Sequence, residues 1–246
     1  MADTNGQIDI SRVLNNTFGV IGRNPVIFLG LSLLIVGIPN LIVQLAQGDP
    51  AASLAILDSP AAIFEGVSGF FLSIFFSVVL QATLIVATLN DLAGKPINLG
   101  HCIKTAIRKF LPLIGMSILV SVGIGFGMIL LIVPGIILAL MWLVATPVMM
   151  AENKGIFASL KRSAQLTSGS KMILFILLIG FIIVAIIIGL IGNMLSFWSA
   201  FMIAIVGALV NTAIGAIQGA GVASIYIDLR TAKEGADTGS LADVFA

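Results

Sequence analysis

Residues 172–229 read MILFILLIGFIIVAIIIGLIGNMLSFWSAFMIAIVGALVNTAIGAIQGAGVASIYIDL, with no Lys or Arg between Lys171 and Arg230. A bilayer core of about 30 Å is crossed by roughly 20 helical residues, so this stretch is long enough to cross and return. Working outward, two more basic-free stretches cover 24–94 and 110–153, and all twelve Lys and Arg residues lie in the gaps. They fall as Arg12 and Arg23; Lys95, Lys104, Arg108 and Lys109; Lys154, Lys161, Arg162 and Lys171; Arg230 and Lys233. Three hairpins, making six spans, put every group on one face. Because Lys and Arg gather in short cytoplasmic loops, both termini and both charged loops are expected in the cytoplasm. The opposite loops carry only the acids Asp49, Asp58 and Glu65.

Charged residues make up 9% of the chain and mean hydropathy is +1.18, which excludes an ordinary water-soluble domain. The first seven residues are polar and lack the basic start and small-residue cleavage site of a secretory signal, so the first span is expected to remain as an anchor. One cysteine, Cys102, and one histidine, His101, permit no internal disulfide and no multi-cysteine metal site. No cofactor is expected. The cytoplasmic side carries twelve bases against eight acids, which favours anionic phospholipid as a partner. A membrane-protein partner or a second copy remains open. Nucleic acid is not expected, because the bases do not form an aromatic-interleaved patch.

The expected spans are Pro25 to Gln44, Val67 to Asn90, two between Phe110 and Met150 with a turn at Val133-Pro134-Gly135, Met172 to Ile191, and Phe201 to Tyr226. Gly192, Asn193, Ser196 and Ser199 are expected to bend the last hairpin, and Gly48, Asp49, Pro50, Asp58 and Pro60 to form the one long outer loop. A short amphipathic segment precedes each odd-numbered span. Ile10, Val13, Leu14, Thr17, Phe18 and Ile21 share one face; so do Leu99, Ile103, Ala106, Ile107 and Phe110; so do Phe157, Leu160, Ala164 and Thr167. Such helices lie flat at the headgroup level with the apolar face down. After each even-numbered span comes an acid with a base behind it: Asp91 and Lys95, Glu152 and Lys154, Asp228 and Arg230. The expectation is an all-α polytopic bundle of six transmembrane helices, one domain over 1–234, with repeat units 8–94, 97–153 and 156–232 and a disordered tail over 235–246.

No ionisable residue falls well inside a span, which argues against a proton-coupled pump. Asn40, Gln44, Gln81, Asn90, Asn211 and Gln218 form a neutral polar set. Asn211 and Gln218, seven apart, share a face with Gly215. Interhelical hydrogen bonding accounts for them at about 0.6 kcal/mol each; the sharper reading makes Gln81, Asn211 and Gln218 the lining of a cavity for a headgroup or solute. Gly123, Gly125, Gly127, Gly215 and Gly219 include the four-residue spacing that lets membrane helices approach closely. Pro39 and Pro147 are expected to kink or end their helices. Nucleophilic catalysis needs a nucleophile, a base and an orienting group. His101 and Cys102 are adjacent on a helix and point about 100° apart, so they form no dyad, and no enzymatic activity is expected. Lys104, Arg108, Lys109, Lys161, Arg162 and Lys171 remain as candidates for lipid headgroups, each worth about 1 kcal/mol at an anionic surface. Topological anchoring alone would also explain them. Arg is the better phosphate fork, which singles out Arg162.

Val133-Pro134-Gly135-Ile136-Ile137, Trp142, Glu152, Lys161-Arg162-Ser163, Leu166-Thr167-Ser168-Gly169 and Tyr226-Ile227-Asp228-Leu229-Arg230 together resemble the glycerophosphoryl diester phosphodiesterase membrane domain family. Some members of that family precede a soluble phosphodiesterase. Here only sixteen residues follow Arg230, so the resemblance implies a stand-alone member with six spans in a bacterial cytoplasmic membrane, and no phosphodiesterase activity. The leading expectation is a non-enzymatic membrane protein that binds or organises anionic lipid, or supports a membrane partner, through its interfacial helices. The alternative is a transporter or permease-like subunit moving a lipid or small solute.

Overall fold

Prolines set the joints of this chain, because each ring clashes with the carbonyl four residues before it and removes one helical hydrogen bond. The computed structural model describes residues 8–39, 41, 60–195 and 200–235. It begins with α1 (Ile10–Arg23) and α2 (Pro25–Ser32), the latter continued by a π-helical stretch over Leu33–Gly37. Then follow α3 (Pro60–Leu92), α4 (Leu99–Arg108), α5 (Phe110–Leu130), α6 (Ile132–Trp142), α7 (Ala145–Glu152), α8 (Ile156–Thr167), α9 (Lys171–Leu195) and α10 (Ala200–Glu234). Four residues before Pro112 and Pro134 stand Arg108 and Leu130, the last residues of α4 and α5. Four before Pro147 stands Leu143, in the break between α6 and α7; four before Pro39 stands Ile35, inside the π-helical stretch. Proline register therefore explains four of the joints.

The protein is an all-helical polytopic membrane bundle. Phe71–Leu92, Phe110–Leu130, Ile132–Glu152, Lys171–Met194 and Ile205–Glu234 are long and apolar enough to span a bilayer, and α1 with α2, bent at 87°, raises the count to as many as six. α3 lies innermost: 56% of its apolar window is buried, against 17% for α5 and 11% for α9. Core side chains such as Leu84, Ile85, Leu89, Leu113, Leu174 and Tyr226 interlock around it, while Ile129, Leu130, Ile183 and Ile186 stay exposed, as lipid-facing residues should.

Several expected boundaries move. The fourth span is not continuous but breaks at Leu143 and Val144. The turn before it lies at Leu131, whose backbone is extended (φ −160, ψ 139), and Pro134 and Gly135 open α6 instead of forming the turn. A proline in the first helical turn gives up only a hydrogen bond that the helix start could not make. Gly192 and Asn193 are helical in α9, not a bend. The second span begins as helix at Pro60, and the last continues past Tyr226 to Glu234. Asp49, Asp58, Ser196, Ser199 and the tail beyond 235 lie outside the described residues.

Three short helices form where the amphipathic segments are expected, and local chemistry starts them. Asp9 caps α1 by accepting from the backbone of Ser11 and Arg12 at 2.8 and 3.3 Å, and Asn98 caps α4 by accepting from His101 at 3.1 Å. The turns after α3, α7 and α10 each use a left-handed residue, Gly94, Asn153 and Gly235. Each short helix divides its apolar face. Val13, Thr17 and Val20, Cys102 and Ala106, and Ser159, Ser163 and Leu166 are buried against the bundle. Phe18, Ile107 and Phe157 face outward at 45%, 52% and 76% exposure, so only part of each apolar face is free to lie on a membrane.

Candidate functional site

The acids that end the even-numbered spans are each met by an arginine from a short helix. Asp91, at the end of α3, accepts from Arg23, and from Asn24 Nδ2 at 2.7 Å. Asp228, on α10, is fully buried; its Oδ1 lies 3.1 Å from Arg12 Nη1 and its Oδ2 accepts from the Asp9 backbone at 2.8 Å. Glu152, at the end of α7, is engaged by Arg162 Nε at 3.2 Å to both oxygens, by the Lys154 ammonium and by the Tyr226 hydroxyl at 3.1 Å. Arg162 also pairs with Glu234, which Arg230 Nε meets at 3.2 Å. The clasp at Asp228 brings α1 onto α10 and so joins the first helix to the last.

This arrangement sorts the six candidate cations. Arg162 is committed to two carboxylates: burial lowers its pKa, but its hydrogen bonds to Glu234 and Glu152 outweigh that and hold it above the ordinary value. Lys109 donates to the Met149 carbonyl at 2.8 Å, serving the C-terminal turn of α7, and burial lowers its pKa. Lys171 is half-buried at the start of α9. Lys104, Arg108 and Lys161 are exposed and form no ion pair among the described residues. They stand on the same two helices as the outward Ile107 and Phe157, with exposed Leu111 just beyond α4. His101 is exposed, whereas Cys102 is buried against Asn90, whose Nδ2 lies 3.8 Å from its sulfur, and burial raises the thiol pKa. The two side chains do not converge.

The neutral polar set lies elsewhere. α3 and α10 pack closely because Gly219 presses against Leu84, where an added Cβ would lie 2.6 Å from the leucine Cβ; Gly215, one turn earlier, faces Leu80 at an ordinary 3.6 Å. On the flank of this contact, Gln81, Asn211 and Gln218 line one cavity of about 310 Å³ together with Ser77, Val36 and Gly215. Gln81 and Gln218 also line a neighbouring slot of about 330 Å³, otherwise walled by apolar residues including Leu178, Phe181, Ile182 and Val222. The sequence brought these three amides under suspicion from their polarity alone. It gave no sign of the slot, whose walls come from α9 and α10 together. Of the other glycines, Gly123 abuts the Trp142 ring and Gly127 abuts Gly135, whereas Gly125 faces open space.

No protein-family model matches the chain, and no solved structure matches it. It is similar to UPF0259 membrane protein plu2479 of Photorhabdus laumondii, 27% identical over 152 residues, or 62% of this chain and 59% of the relative. The chain thus spans less than two thirds of that relative's length. The resemblance to the glycerophosphoryl diester phosphodiesterase membrane domain family is not upheld, since nothing that the chain matches points to it. The residues that carried it have architectural tasks here. Pro134 and Gly135 open α6, Arg162 pairs with Glu152, and Tyr226 bonds the same glutamate. Ser163 and Thr167 donate to the Met141 carbonyl at 2.7 and 3.5 Å beside the α6–α7 break, and Gly169 holds φ +82. A bundle that must tie short helices to span ends needs such residues whatever its family.

Proposed function

We propose that this membrane protein is non-enzymatic and holds anionic phospholipid at the cytoplasmic edge of a bacterial inner membrane, with both termini on that side. The observation that supports this reading is the pairing of exposed cations with outward apolar residues on one pair of helices: Lys104 and Arg108 with Ile107 on α4, and Lys161 with Phe157 on α8. An interfacial helix binds by both means at once, sinking its apolar side chains while its cations meet headgroups. Arg162 and Lys109 act within the protein and serve the lipid site only by fixing α8 and α7. The lipid-contacting set is therefore Lys104, Arg108 and Lys161, with Lys171 at its border.

Native mass spectrometry of the protein released from mild detergent tests this. Phosphatidylglycerol is expected to stay bound at fixed stoichiometry and to be lost from K104Q/R108Q/K161Q while thermal stability is unchanged. Equal retention by that variant, or no preference over a zwitterionic lipid, would defeat the reading. A second reading, a permease-like subunit, is favoured by the cavity at Gln81, Asn211 and Gln218. Solute or lipid movement in proteoliposomes that depends on those amides would establish it in place of the first.

A further inference from the structure

Gln81 precedes Asp91 by ten residues on α3, and Gln218 precedes Asp228 by ten on α10. At 1.5 Å per residue both amides lie about 15 Å from the charged end, half-way through a hydrocarbon core of about 30 Å. Both side chains are exposed in the helical bundle, and neither makes a hydrogen bond to another described residue. At that depth an amide with no partner costs several kcal/mol, so the position calls for one. The partner has to be found in the adjoining space: the cavity of about 310 Å³, where Ser77 and Asn211 add polar groups, and the apolar slot of about 330 Å³ that continues from it.

The two spaces differ in the way the two ends of a lipid molecule differ. Ser77, Gln81, Asn211 and Gln218 offer donors and acceptors, and no ionisable side chain lines either space. A charged headgroup at this depth would be uncompensated. The slot is lined by Leu178, Phe181, Ile182, Val184, Val222 and their neighbours, and at its edge Ile182 is 47% exposed to the bundle's surroundings. A hydrocarbon chain suits this aliphatic and aromatic lining, whose only polar side chains are the two amides.

We infer that Gln81 and Gln218 form a mid-membrane binding site for an uncharged lipid, whose hydroxyl or ester group meets the amides while its hydrocarbon chain fills the slot between α3, α9 and α10. This goes beyond both functional readings. It names what the cavity holds, whether or not anything crosses, and it is independent of the cations at the membrane edge.

The test uses the full-length protein in nanodiscs and oleyl alcohol carrying a diazirine in its chain, with adducts mapped by peptide mass spectrometry. Adducts are expected at Phe181, Ile182 and Val222. Unlabelled oleyl alcohol should displace the probe, and octadecene, which lacks the hydroxyl, should not. Q81L/Q218L should lower the adduct yield at these residues by about fivefold or more, the factor of a single hydrogen bond, with a melting temperature in lipid-free detergent no lower than that of the wild type. K104Q/R108Q/K161Q should leave it unaltered, which separates this site from the edge. Adducts spread over lipid-facing residues such as Ile129 and Ile183, displacement by octadecene as readily as by the alcohol, insensitivity to Q81L/Q218L, or cross-linking to a second polypeptide in the slot would each overturn the inference.

Discussion

Along α3 and α10, polar groups are treated in opposite ways at two depths. At the charged end, Asp91 and Asp228 each meet an arginine, and Glu152 nearby meets two cations and a tyrosine. Ten residues deeper, Gln81 and Gln218 face a cavity without a hydrogen-bond partner among the described residues. Where polar groups serve architecture, the chain supplies their partners from within. Where it withholds them in hydrocarbon, the unmet demand marks a place for something that comes from outside. Substitutions at the two depths should therefore differ in sign as well as in size.

The largest loss should come from Glu152→Ala. It leaves Arg162 and Lys154 facing each other without the intervening carboxylate, and it strips the buried Tyr226 hydroxyl of its acceptor. Removing one member of a buried pair costs about 3–5 kcal/mol; with Lys154 39% exposed and Arg162 keeping Glu234 as a partner, about 2–3 kcal/mol is expected, read as a lower melting temperature in detergent. Retention of wild-type stability would show that the charged end is not an architectural lock. Next comes Gly219→Ala, which drives a methyl against Leu84 where the added Cβ would sit at 2.6 Å. Overpacking there should cost about 1–3 kcal/mol and should disturb both depths together, because the α3–α10 contact lies between them. Asp228→Asn is milder. The amide keeps an acceptor for the Asp9 backbone and loses the charge pairing with the half-exposed Arg12, so about 1 kcal/mol is expected, with little change in high salt because the Asp228 end of the pair is buried.

The sequence showed the helical bundle of apolar spans and the three short helices, because hydropathy is a property of single positions that a membrane sorts by depth. Joints were legible only in part. Pro147 announced a disturbance in the fourth span, but its placement at Leu143 follows from the four-residue reach of the proline ring, and Pro134 marked the start of α6 and not the turn. Partnerships were not legible. In the chain Asp228 stands beside Arg230, yet in space Arg12, more than two hundred residues away, engages it. Arg162 attracted attention as a phosphate fork, and its fork is filled by Glu152 and Glu234. An arginine suited to a phosphate is equally suited to a carboxylate, and only the fold decides which it meets. The amides Gln81, Asn211 and Gln218 were legible as candidates because polarity in an apolar span stands out, whereas the slot beside them depends on how α9 leans on α10.

The smallest effect on stability, and the one that most sharpens the comparison, belongs to Gln81→Leu with Gln218→Leu. Were these amides structural, as the carboxylates at the charged end are, their removal would forfeit interhelical hydrogen bonds worth about 0.6 kcal/mol each and lower the melting temperature. Neither amide has a described protein partner to lose. Leucine is welcome in hydrocarbon, and replacing an unsatisfied polar group by an apolar one of similar shape is neutral or stabilising. The double variant is therefore expected to lie within about 1 kcal/mol of the wild type, on the stable side. A clear fall in melting temperature in lipid-free detergent would place the amides with the architectural groups. The same fall seen only when lipid is present to stabilise the wild type would be the signature of a bound ligand, because a molecule that binds only the folded state raises its stability in proportion to the logarithm of its concentration.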